Sequence, residues 1–457
     1  MEVLMLENFF HLNENHTNVS TEINAGITSF VTMAYILAVN PSLLSAAGMD
    51  AQGVMLATAL ASCLGCFFMA AFTNYPIVLA PGMGLNAYFA FTVCGSYGYS
   101  WQIALFAVFI EGIIFIILSV SNIREALFNA IPISLKHGAS VGIGLFIAFI
   151  GLQNAGIIIK NDSTLVSIVS FRSAFSTQGI CALLALLGTA LIGILFIRGI
   201  KGYVLIGMGL TWAAGIICQL AGIYRPDPEN GFYSTIPSAL FSTDLTSIGK
   251  VFGQAFRADF SGISIGTFIT IIFAFLFVDL FDTLGALIGL TSKANLLDED
   301  GHLPKIKGAL LADAAATTAG AIIGTSTVTT YAESSAGIAE GGRTGLTSVI
   351  TGFLFLLSLF FAPLFTSIPS FATAPALIFV GFLMLGSVAK INPEDPVEAI
   401  PAYLAIIFMP FAYSISEGLA VGIISYVILH ALTGRKKEIT PLMYVLAILF
   451  ILKYVLL

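Results

Sequence analysis

The stretch Gly324–Ser335 reads GTSTVTTYAESS, and it interrupts an otherwise apolar part of the chain. It is rich in hydroxyl side chains and carries an acid, so it is too polar to span a bilayer as a helix. A second interruption, APGMGLN at Ala80–Asn86, has three helix-disfavouring residues among its first five. Extended backbone at membrane depth must satisfy its N–H and C=O groups, and two such runs could do so as a small antiparallel ribbon.

Short helices are expected to follow these interruptions. The β-prone runs Pro76–Leu79 and Ser326–Thr330 lead into them, which predicts a short strand before each. The helix N-termini would point free N–H groups and positive dipole ends into the protein centre. The two breaks therefore predict a binding place for a polar planar ligand or a carboxylate.

The composition around these breaks is that of a membrane protein. Hydrophobic residues make up 58% of the 457 residues and charged residues 9%, whereas soluble domains carry about 25% charged residues. An all-α polytopic membrane protein in a lipid bilayer is predicted. The net charge of −7 is spread without a basic patch, so no nucleic-acid partner is expected. The first fifteen residues lack the basic and small-residue signals of a secretory leader.

Apolar stretches predict about fourteen membrane segments. The expected ranges are 23–41, 54–73, 82–94, 102–121, 138–159, 180–198, 203–221, 264–291, 308–324, 331–339, 345–365, 374–390, 398–413 and 417–433. The apolar tail at 441–456 is a further crossing or a helix at the membrane surface. Alternatively, 398–433 is one broken crossing and the tail is the fourteenth.

Basic residues follow the even-numbered segments, which is typical of cytoplasmic loops. They are Arg124, Lys136, Arg198, Lys201, Lys293, Lys305, Lys307, Arg343, Lys390, Arg435, Lys436 and Lys437. The N-terminus is therefore expected in the cytoplasm, with the protein in the plasma or inner membrane. The expected divisions are a cytoplasmic N-terminus (1–22), a first repeat (23–222), an extracytoplasmic loop (223–263), a second repeat (264–433) and a tail or final crossing (434–457).

The two halves share an order of motifs. Ala59–Gly65 resembles Ala314–Gly320, and each precedes a β-prone run and a short segment. Seven segments per half is an odd number, so related halves must be inverted in the membrane. Inverted repeats with broken helices are typical of secondary transporters.

Acids within the membrane segments mark the expected site. Asp279 and Asp282 share a face of the eighth segment, Glu333 lies in the second break and Asn86 in the first. Intramembrane acids are costly and usually functional, so we expect these four residues around one cavity. Their carboxylates and amide match the hydrogen-bonding edges of nucleobases. Alternatively, the acids only pair with backbone groups or cap helix ends.

Other features favour structural roles. Glu111 is expected to form a hydrogen bond to a neighbouring helix, and Asp313 is expected at the membrane interface beside a basic loop. Cys63 and Cys66 form a lone C-x-x-C, which does not indicate a metal site.

Several functional classes lack their motifs. There is no G-x-x-x-x-G-K-[ST] loop for ATP-driven transport and no H-E-x-x-H or G-x-S-x-G motif for a membrane enzyme, and no cofactor is expected. A channel could use the same segments. An inorganic-anion exchanger could share the architecture, but a positive group rather than Glu333 would be expected at the break.

Longer motifs at these positions resemble a known family. They are Asn24–Ile36, APGMGLNAYF at Ala80–Phe89, Glu111–Gly112, Gly142–Gly151, DLFDTLG at Asp279–Gly285, Gly324–Gly337 and GGRTG at Gly341–Gly345. Together they resemble the adenine–guanine–hypoxanthine permeases, a branch of the xanthine/uracil permease superfamily. The resemblance extends from about residue 20 to 435.

The resemblance implies two inverted seven-segment repeats with short strands before half-helices 3 and 10. A core domain (segments 1–4 and 8–11) would carry substrate. A gate domain (segments 5–7 and 12–14) would form the scaffold and a homodimer contact. The implied function is proton-coupled uptake of purine bases by alternating access. Xanthine, uracil or another small planar or anionic solute is the alternative.

The resemblance also implies residue roles. Asp279 and Glu333 would bind the base and could carry the coupled proton, Asp282 would support proton coupling, and Asn86 would complete the site. Ala332 and Ser334 would add backbone contacts. Ala332 departs from the family pattern, in which a larger aliphatic residue is expected, and this leaves the preferred base open.

Overall fold

The computed structural model describes residues 7, 9–121, 131–172, 174–223, 225–227, 232–234, 236–237, 239–293 and 303–456. For residues 281, 284, 285, 288, 289, 291–293, 453 and 456 it describes the backbone alone. Arg124 and the side chain of Lys293, both used above to predict orientation, lie outside the described part, as do residues 1–6 and parts of the 223–263 loop.

Helices coincide with all fourteen expected segments. In chain order they are α1 Val19–Met33, α2 Ile36–Ser45, α3 Ala51–Thr73, α4 Met83–Ala87 (continued by a π-helix, Tyr88–Ser96), α5 Trp101–Val120, α6 Ile133–Asn154, α7 Ile180–Ile197, α8 Tyr203–Leu220, α9 Ile265–Lys293, α10 Ile306–Ile323, α11 Ser334–Ala339, α12 Gly345–Ser358, α13 Ala362–Thr366, α14 Ser370–Leu385, α15 Pro396–Phe411, α16 Ile415–Leu432 and α17 Pro441–Leu456. Within the described ranges, ten helical stretches are long and apolar enough to cross a membrane. The predicted all-α polytopic membrane fold is confirmed.

Two short strands precede two of the shortest helices, as predicted. β1 (Leu79–Pro81) leads into α4 and β4 (Val328–Thr330) leads toward α11. They pair antiparallel, with Ala80 opposite Thr329. The ribbon joins equivalent places in the two halves of the chain, and all six of its residues are buried.

A β-hairpin between α6 and α7 was not predicted. The fifth segment was expected to continue to residue 159, but α6 ends at Asn154 because Gly156 adopts a left-handed φ of +67°. β2 (Ile158–Asn161) and β3 (Leu165–Ile168) follow as an antiparallel pair. The Asn161 side chain accepts hydrogen bonds from the N–H groups of Ser163 and Thr164, which shapes the turn.

The helices pack as two groups. In the first group, α1–α3, α5 and α9–α12 contact mainly one another and surround the β1–β4 ribbon. In the second group, α6–α8 and α14–α16 contact mainly one another. The cavity described below lies between these two groups.

The last helices form a hairpin followed by a returning tail. α15 and α16 pack against each other along their length, and a Cβ built on Gly422 of α16 would lie 2.9 Å from Ala405 Cβ of α15. The range 398–433 is therefore two antiparallel helices rather than one broken crossing. α17 runs back along α16, and Tyr454 near its end hydrogen bonds to Glu417 at the start of α16.

Candidate functional site

The β1–β4 ribbon is exposed to neither water nor lipid, so its outer edges must find partners within the protein. On the β4 side, the Thr317 hydroxyl of α10 donates to Val328 O at 2.9 Å and lies 3.2 Å from the Val328 N–H. On the β1 side, Cys66 Sγ of α3 lies 3.7 Å from Leu79 O. Just before β1, the Val78 N–H donates to Ser334 Oγ at 3.0 Å. Glu111 accepts a hydrogen bond from Thr327 at 2.7 Å. This partner therefore lies in the extended run before β4, whereas a neighbouring helix was expected. These contacts allow strands to exist at this depth.

A cavity of about 420 Å³ opens beside the ribbon, between the two helix groups. Most of its polar lining comes from the first group, at the α1–α2 junction, the middle of α9 and the segment that begins α11, together with the start of α4. Those residues are Tyr35, Gly82, Met83, Gly84, Asp282, Ala286, Thr330, Tyr331, Ala332, Glu333 and Ser335. The second group supplies a largely apolar wall of Ile143, Ile147, Phe196, Tyr203, Val380, Leu383 and Met384.

Glu333 is the N-cap residue of α11 and projects into this cavity. The Tyr35 hydroxyl donates to Glu333 Oε1 at 2.6 Å. A hydrogen bond to a carboxylate at this distance is of the strong, charge-assisted kind. Tyr35 therefore fixes the orientation of the Glu333 carboxylate.

Asp282 faces the same cavity from α9. A Cβ built on Gly82 would lie 3.4 Å from Asp282 Oδ2 and only 2.5 Å from Thr329 Cγ2. The absence of a side chain at Gly82 thus lets the Asp282 carboxylate and β4 approach the start of α4. The first N–H groups of a helix have no intrahelical partner, so donors from α4 and two carboxylates share one space.

Asp279 takes a different position. It is fully buried and absent from the residues that line the cavity. The Thr283 hydroxyl lies 3.0 Å from Asp279 Oδ1, 2.9 Å from Asp313 Oδ1 and 2.7 Å from Thr329 Oγ1. Asp279 therefore belongs to a buried polar cluster behind the ribbon, and its role as a substrate ligand stays a prediction. The expectation that Asp313 lies at the interface is wrong, because α10 packs it against α9, where it is fully buried.

The other predicted residues are distributed around the ribbon. Asn86 is fully buried behind the cavity wall, where its Oδ1 accepts from Ser326 and its Nδ2 has no hydrogen-bond partner among the described residues. Ser334 accepts a hydrogen bond from the Val78 N–H just before β1 and does not line the cavity. Ala332 lines the cavity. Their predicted binding roles remain untested by this geometry.

Several lining residues were missed from sequence. Tyr35 and Tyr331 lie inside motifs that carried the family resemblance, yet nothing in the sequence distinguishes them from core aromatics. The Tyr331 hydroxyl donates to Pro81 O at 2.6 Å, which ties the two breaks together. Phe196 and Tyr203 come from the other helix group and pack edge to face, with ring centroids 5.2 Å apart. Only the packing of the two groups reveals them.

The charge of the cavity limits its ligands. Among the described residues that line it, Asp282 and Glu333 are acidic and none is basic. Carboxylates accept hydrogen bonds, and helix N-termini donate them. The arrangement suits a small planar solute that carries both N–H donors and acceptor atoms, and it disfavours an anion.

Sequence comparison identifies relatives over the whole chain. The sequence model of the Permease family, which covers the xanthine/uracil permeases, matches residues 20–421. The adenine permease AdeP of Escherichia coli is 42% identical over 452 residues, covering 99% of this chain and 96% of the relative. The guanine/hypoxanthine permease PbuO of Bacillus subtilis is 43% identical over 451 residues, covering 97% of this chain and 99% of the relative.

Structural comparison supports the fold. The transmembrane domain of the cyanobacterial bicarbonate transporter BicA superposes with a TM-score of 0.62 at 16% identity, covering 89% of this chain and 97% of that domain. A likeness at this identity concerns the fold alone. From the family match and the relatives, the chain belongs to the xanthine/uracil permease family, on the branch of the adenine, guanine and hypoxanthine permeases.

Proposed function

We propose that this protein is a secondary active transporter that takes up purine bases together with protons. The observation that carries the proposal is the pair of carboxyl groups, Asp282 and Glu333, facing one cavity beside the starts of two half-helices. The relatives AdeP and PbuO are named for adenine and for guanine and hypoxanthine. These names support a purine as the substrate.

The cavity offers complementary groups for a flat heterocycle. Asp282 and Glu333 can accept hydrogen bonds from ring or exocyclic N–H groups, and the α4 N-terminus can donate to ring nitrogens or a carbonyl. Phe196 and Tyr203 can cover a face of the ring from the opposite wall. A volume of about 420 Å³ falls within the usual range for small-molecule sites.

Proton coupling is assigned to the carboxyl groups near the base. Asp282 and Glu333 line the cavity, and Asp279 lies one helical turn from Asp282 in the buried cluster. Any of the three could take up a proton from outside before the neutral base binds. Moving one proton through 100 mV supplies about 2.3 kcal/mol, which supports roughly fifty-fold accumulation of a neutral base.

Alternating access is assigned to relative movement of the two helix groups. The first group would be the moving core and the second the gate that forms the scaffold and the homodimer contact. The wall that the second group presents is largely apolar, so sliding past it breaks few hydrogen bonds. The N-terminus would lie in the cytoplasm and the protein in the plasma or inner membrane.

The deciding experiment is uptake by purified protein in proteoliposomes. Labelled hypoxanthine should accumulate when the outside is made acidic, and a protonophore should abolish the accumulation. Asp282→Asn and Glu333→Gln should each reduce uptake by at least about tenfold, since each loses a hydrogen bond to a charged group. The exposed Glu394→Gln is the matched control. Uptake that ignores the proton gradient contradicts coupling, and normal uptake by both variants contradicts the site.

The preferred base depends on the shape of the cavity near Ala332. This residue lines the cavity, and a larger aliphatic side chain there would narrow it. Competition of hypoxanthine uptake by adenine, guanine, xanthine and uracil measures the preference. Ala332→Ile should shift the order of competition, whereas an unchanged order would remove Ala332 from the determinants of specificity.

An inorganic anion is the competing substrate class, because the fold resembles that of a bicarbonate transporter. The lining residues that the structure describes oppose it, since they include two acids and no base. Chloride or bicarbonate should therefore neither compete with hypoxanthine nor be transported.

A further inference from the structure

A second cluster of ionisable side chains lies on the second helix group. Glu398 stands in the first turn of α15, His430 in the last turn of α16, and Glu438 ends the short 3₁₀ turn that leads to α17. None of the three lines the cavity. They meet because α15 and α16 are antiparallel, so the start of α15 lies beside the end of α16.

The geometry of His430 determines what its ring can do. His430 is fully buried, and its Nδ1 lies 3.0 Å from the backbone oxygen of Tyr426. A carbonyl only accepts, so Nδ1 carries the hydrogen, and the lone pair of a neutral ring is then on Nε2. Nε2 lies 3.1 Å from Glu398 Oε1 and 3.6 Å from Glu438 Oε2. A buried lone pair thus faces two carboxylates, and this arrangement needs positive charge between them.

Neighbouring residues hold the Glu398 carboxylate in place. Glu398 Oε2 accepts a hydrogen bond from Ser134 of α6, and the Tyr426 hydroxyl lies 3.2 Å from Glu398 Oε1. A histidine whose second nitrogen donates to a backbone carbonyl, beside a hydrogen-bonded carboxylate, is the usual outer arrangement of a metal site. The nearby Arg435 is bound to Asp395 at 2.6 Å. Its guanidinium also interacts with Glu398 and Glu438, so three carboxylates share one positive charge, and a net negative charge remains beside His430 Nε2.

We propose that His430, Glu398 and Glu438 bind one divalent transition-metal cation of the Zn²⁺ type. Tetrahedral bonds of about 2.0–2.2 Å place ligand atoms roughly 3.3–3.6 Å apart. The observed separations from Nε2 are 3.1 and 3.6 Å, and the three ligand atoms all lie within 4.8 Å of one another. An imidazole nitrogen with two carboxylate oxygens suits zinc better than magnesium or calcium, which prefer oxygen-only ligands. Water would complete the coordination.

Such a cation would fasten α15 and α16 of the second helix group to the turn that precedes α17. It would close the open end of the α15–α16 hairpin and hold the segment that starts α17. It would therefore stabilise the scaffold without touching the base. A second proton on His430 is the competing explanation of the same geometry, and the experiment below separates the two.

The test uses tag-free, detergent-purified protein that has been stripped with a chelator and dialysed against Zn²⁺. Elemental analysis should find one zinc per chain. His430→Gln and Glu398→Gln should each weaken Zn²⁺ binding by at least about tenfold. Loss of a residue that only hydrogen bonds to a metal ligand already weakens binding by about that factor. Glu394→Gln, which removes an exposed acid from the loop just before α15, should bind Zn²⁺ like wild type. Absence of stoichiometric zinc in the wild type, or equal affinity in the ligand variants, overturns the proposal.

Two further measurements guard against a folding defect in the variants. Glu438 is about half exposed, so Glu438→Gln removes one ligand with little change in packing and should also weaken zinc binding. In the wild-type protein, saturating Zn²⁺ should raise the unfolding temperature, while Mg²⁺ should not. Stabilisation by acid alone, with no response to Zn²⁺, would instead assign the cluster to a protonated histidine.

Discussion

The Tyr35 hydroxyl donates a 2.6 Å hydrogen bond to Glu333 Oε1, joining residues 298 positions apart in the chain. Tyr35 lies at the junction of α1 and α2, in the first half, and Glu333 caps α11 in the second. The contact thus holds the acid of one half with a side chain of the other. It also occupies one oxygen of Glu333 and so limits how a ligand can approach this carboxylate.

Removing this hydroxyl should weaken base binding. In Tyr35→Phe the ring still packs, but Glu333 loses a hydrogen bond of the charged kind, worth about 1.5–3 kcal/mol. We expect the KM for hypoxanthine to rise by roughly tenfold with little change in the amount of folded protein. Tyr403→Phe, at an exposed position of α15, is the control and should behave like wild type. An unchanged KM in Tyr35→Phe would show that Tyr35 does not orient Glu333.

Asp279 and Asp282 should give different phenotypes although they are three residues apart. Asp282→Asn alters the cavity, so uptake should show a raised KM while the unfolding temperature stays near that of wild type. Asp279→Asn places an amide NH₂ group where a carboxylate oxygen stood in a fully buried cluster. Its unfolding temperature should fall, because a buried polar group without a suitable partner costs about 1–3 kcal/mol. Thermal unfolding in detergent, measured beside uptake, checks both. A stable Asp279→Asn protein with selectively weakened base binding would place Asp279 in direct contact with the base.

Gly82 should tolerate no side chain. A Cβ at this position would lie 2.5 Å from Thr329 Cγ2, so in Gly82→Ala either β4 or the Thr329 side chain, which also contacts Thr283, must shift. We expect loss of uptake together with a lower unfolding temperature. The matched control is Gly209→Ala in α8, where a Cβ would meet nothing within 4 Å. Full uptake by Gly82→Ala would mean that the ribbon adapts to the added methyl group.

The ion pair between Lys201 and Glu340 spans the two helix groups. Lys201 lies in the turn between α7 and α8, and Glu340 directly follows α11. A covalent link here should stop any relative movement of the groups. Lys201→Cys with Glu340→Cys, joined by a short bifunctional thiol reagent containing a disulfide, should lose uptake and recover it after reduction. Each single cysteine variant, treated alike, should keep its uptake, and undiminished transport by the linked protein would exclude a sliding mechanism at this contact.

Parts of the site were predictable because polar groups in a membrane protein are rare. The breaks at Ala80–Asn86 and Gly324–Ser335 stand out against apolar sequence, and pairing of extended backbone is one of few ways to satisfy it at that depth. The predicted ribbon is confirmed. The end of α6 was missed because the apolar run at 157–159 looks like a continued helix, whereas Gly156 turns the chain into a hairpin.

The sequence by itself determined the class of protein, the two breaks, the acids near them and the family. These follow from composition and local pattern, which do not depend on distant contacts. The tertiary structure alone decided that Asp282 lines the cavity and that Asp279 lies behind the ribbon. Residues at i and i+3 lie on neighbouring parts of a helix face, and the rotation of α9 against its neighbours selects between them. The tertiary structure also decided that Tyr35 and the wall containing Phe196 complete the cavity, because these contacts form only when the two helix groups pack together.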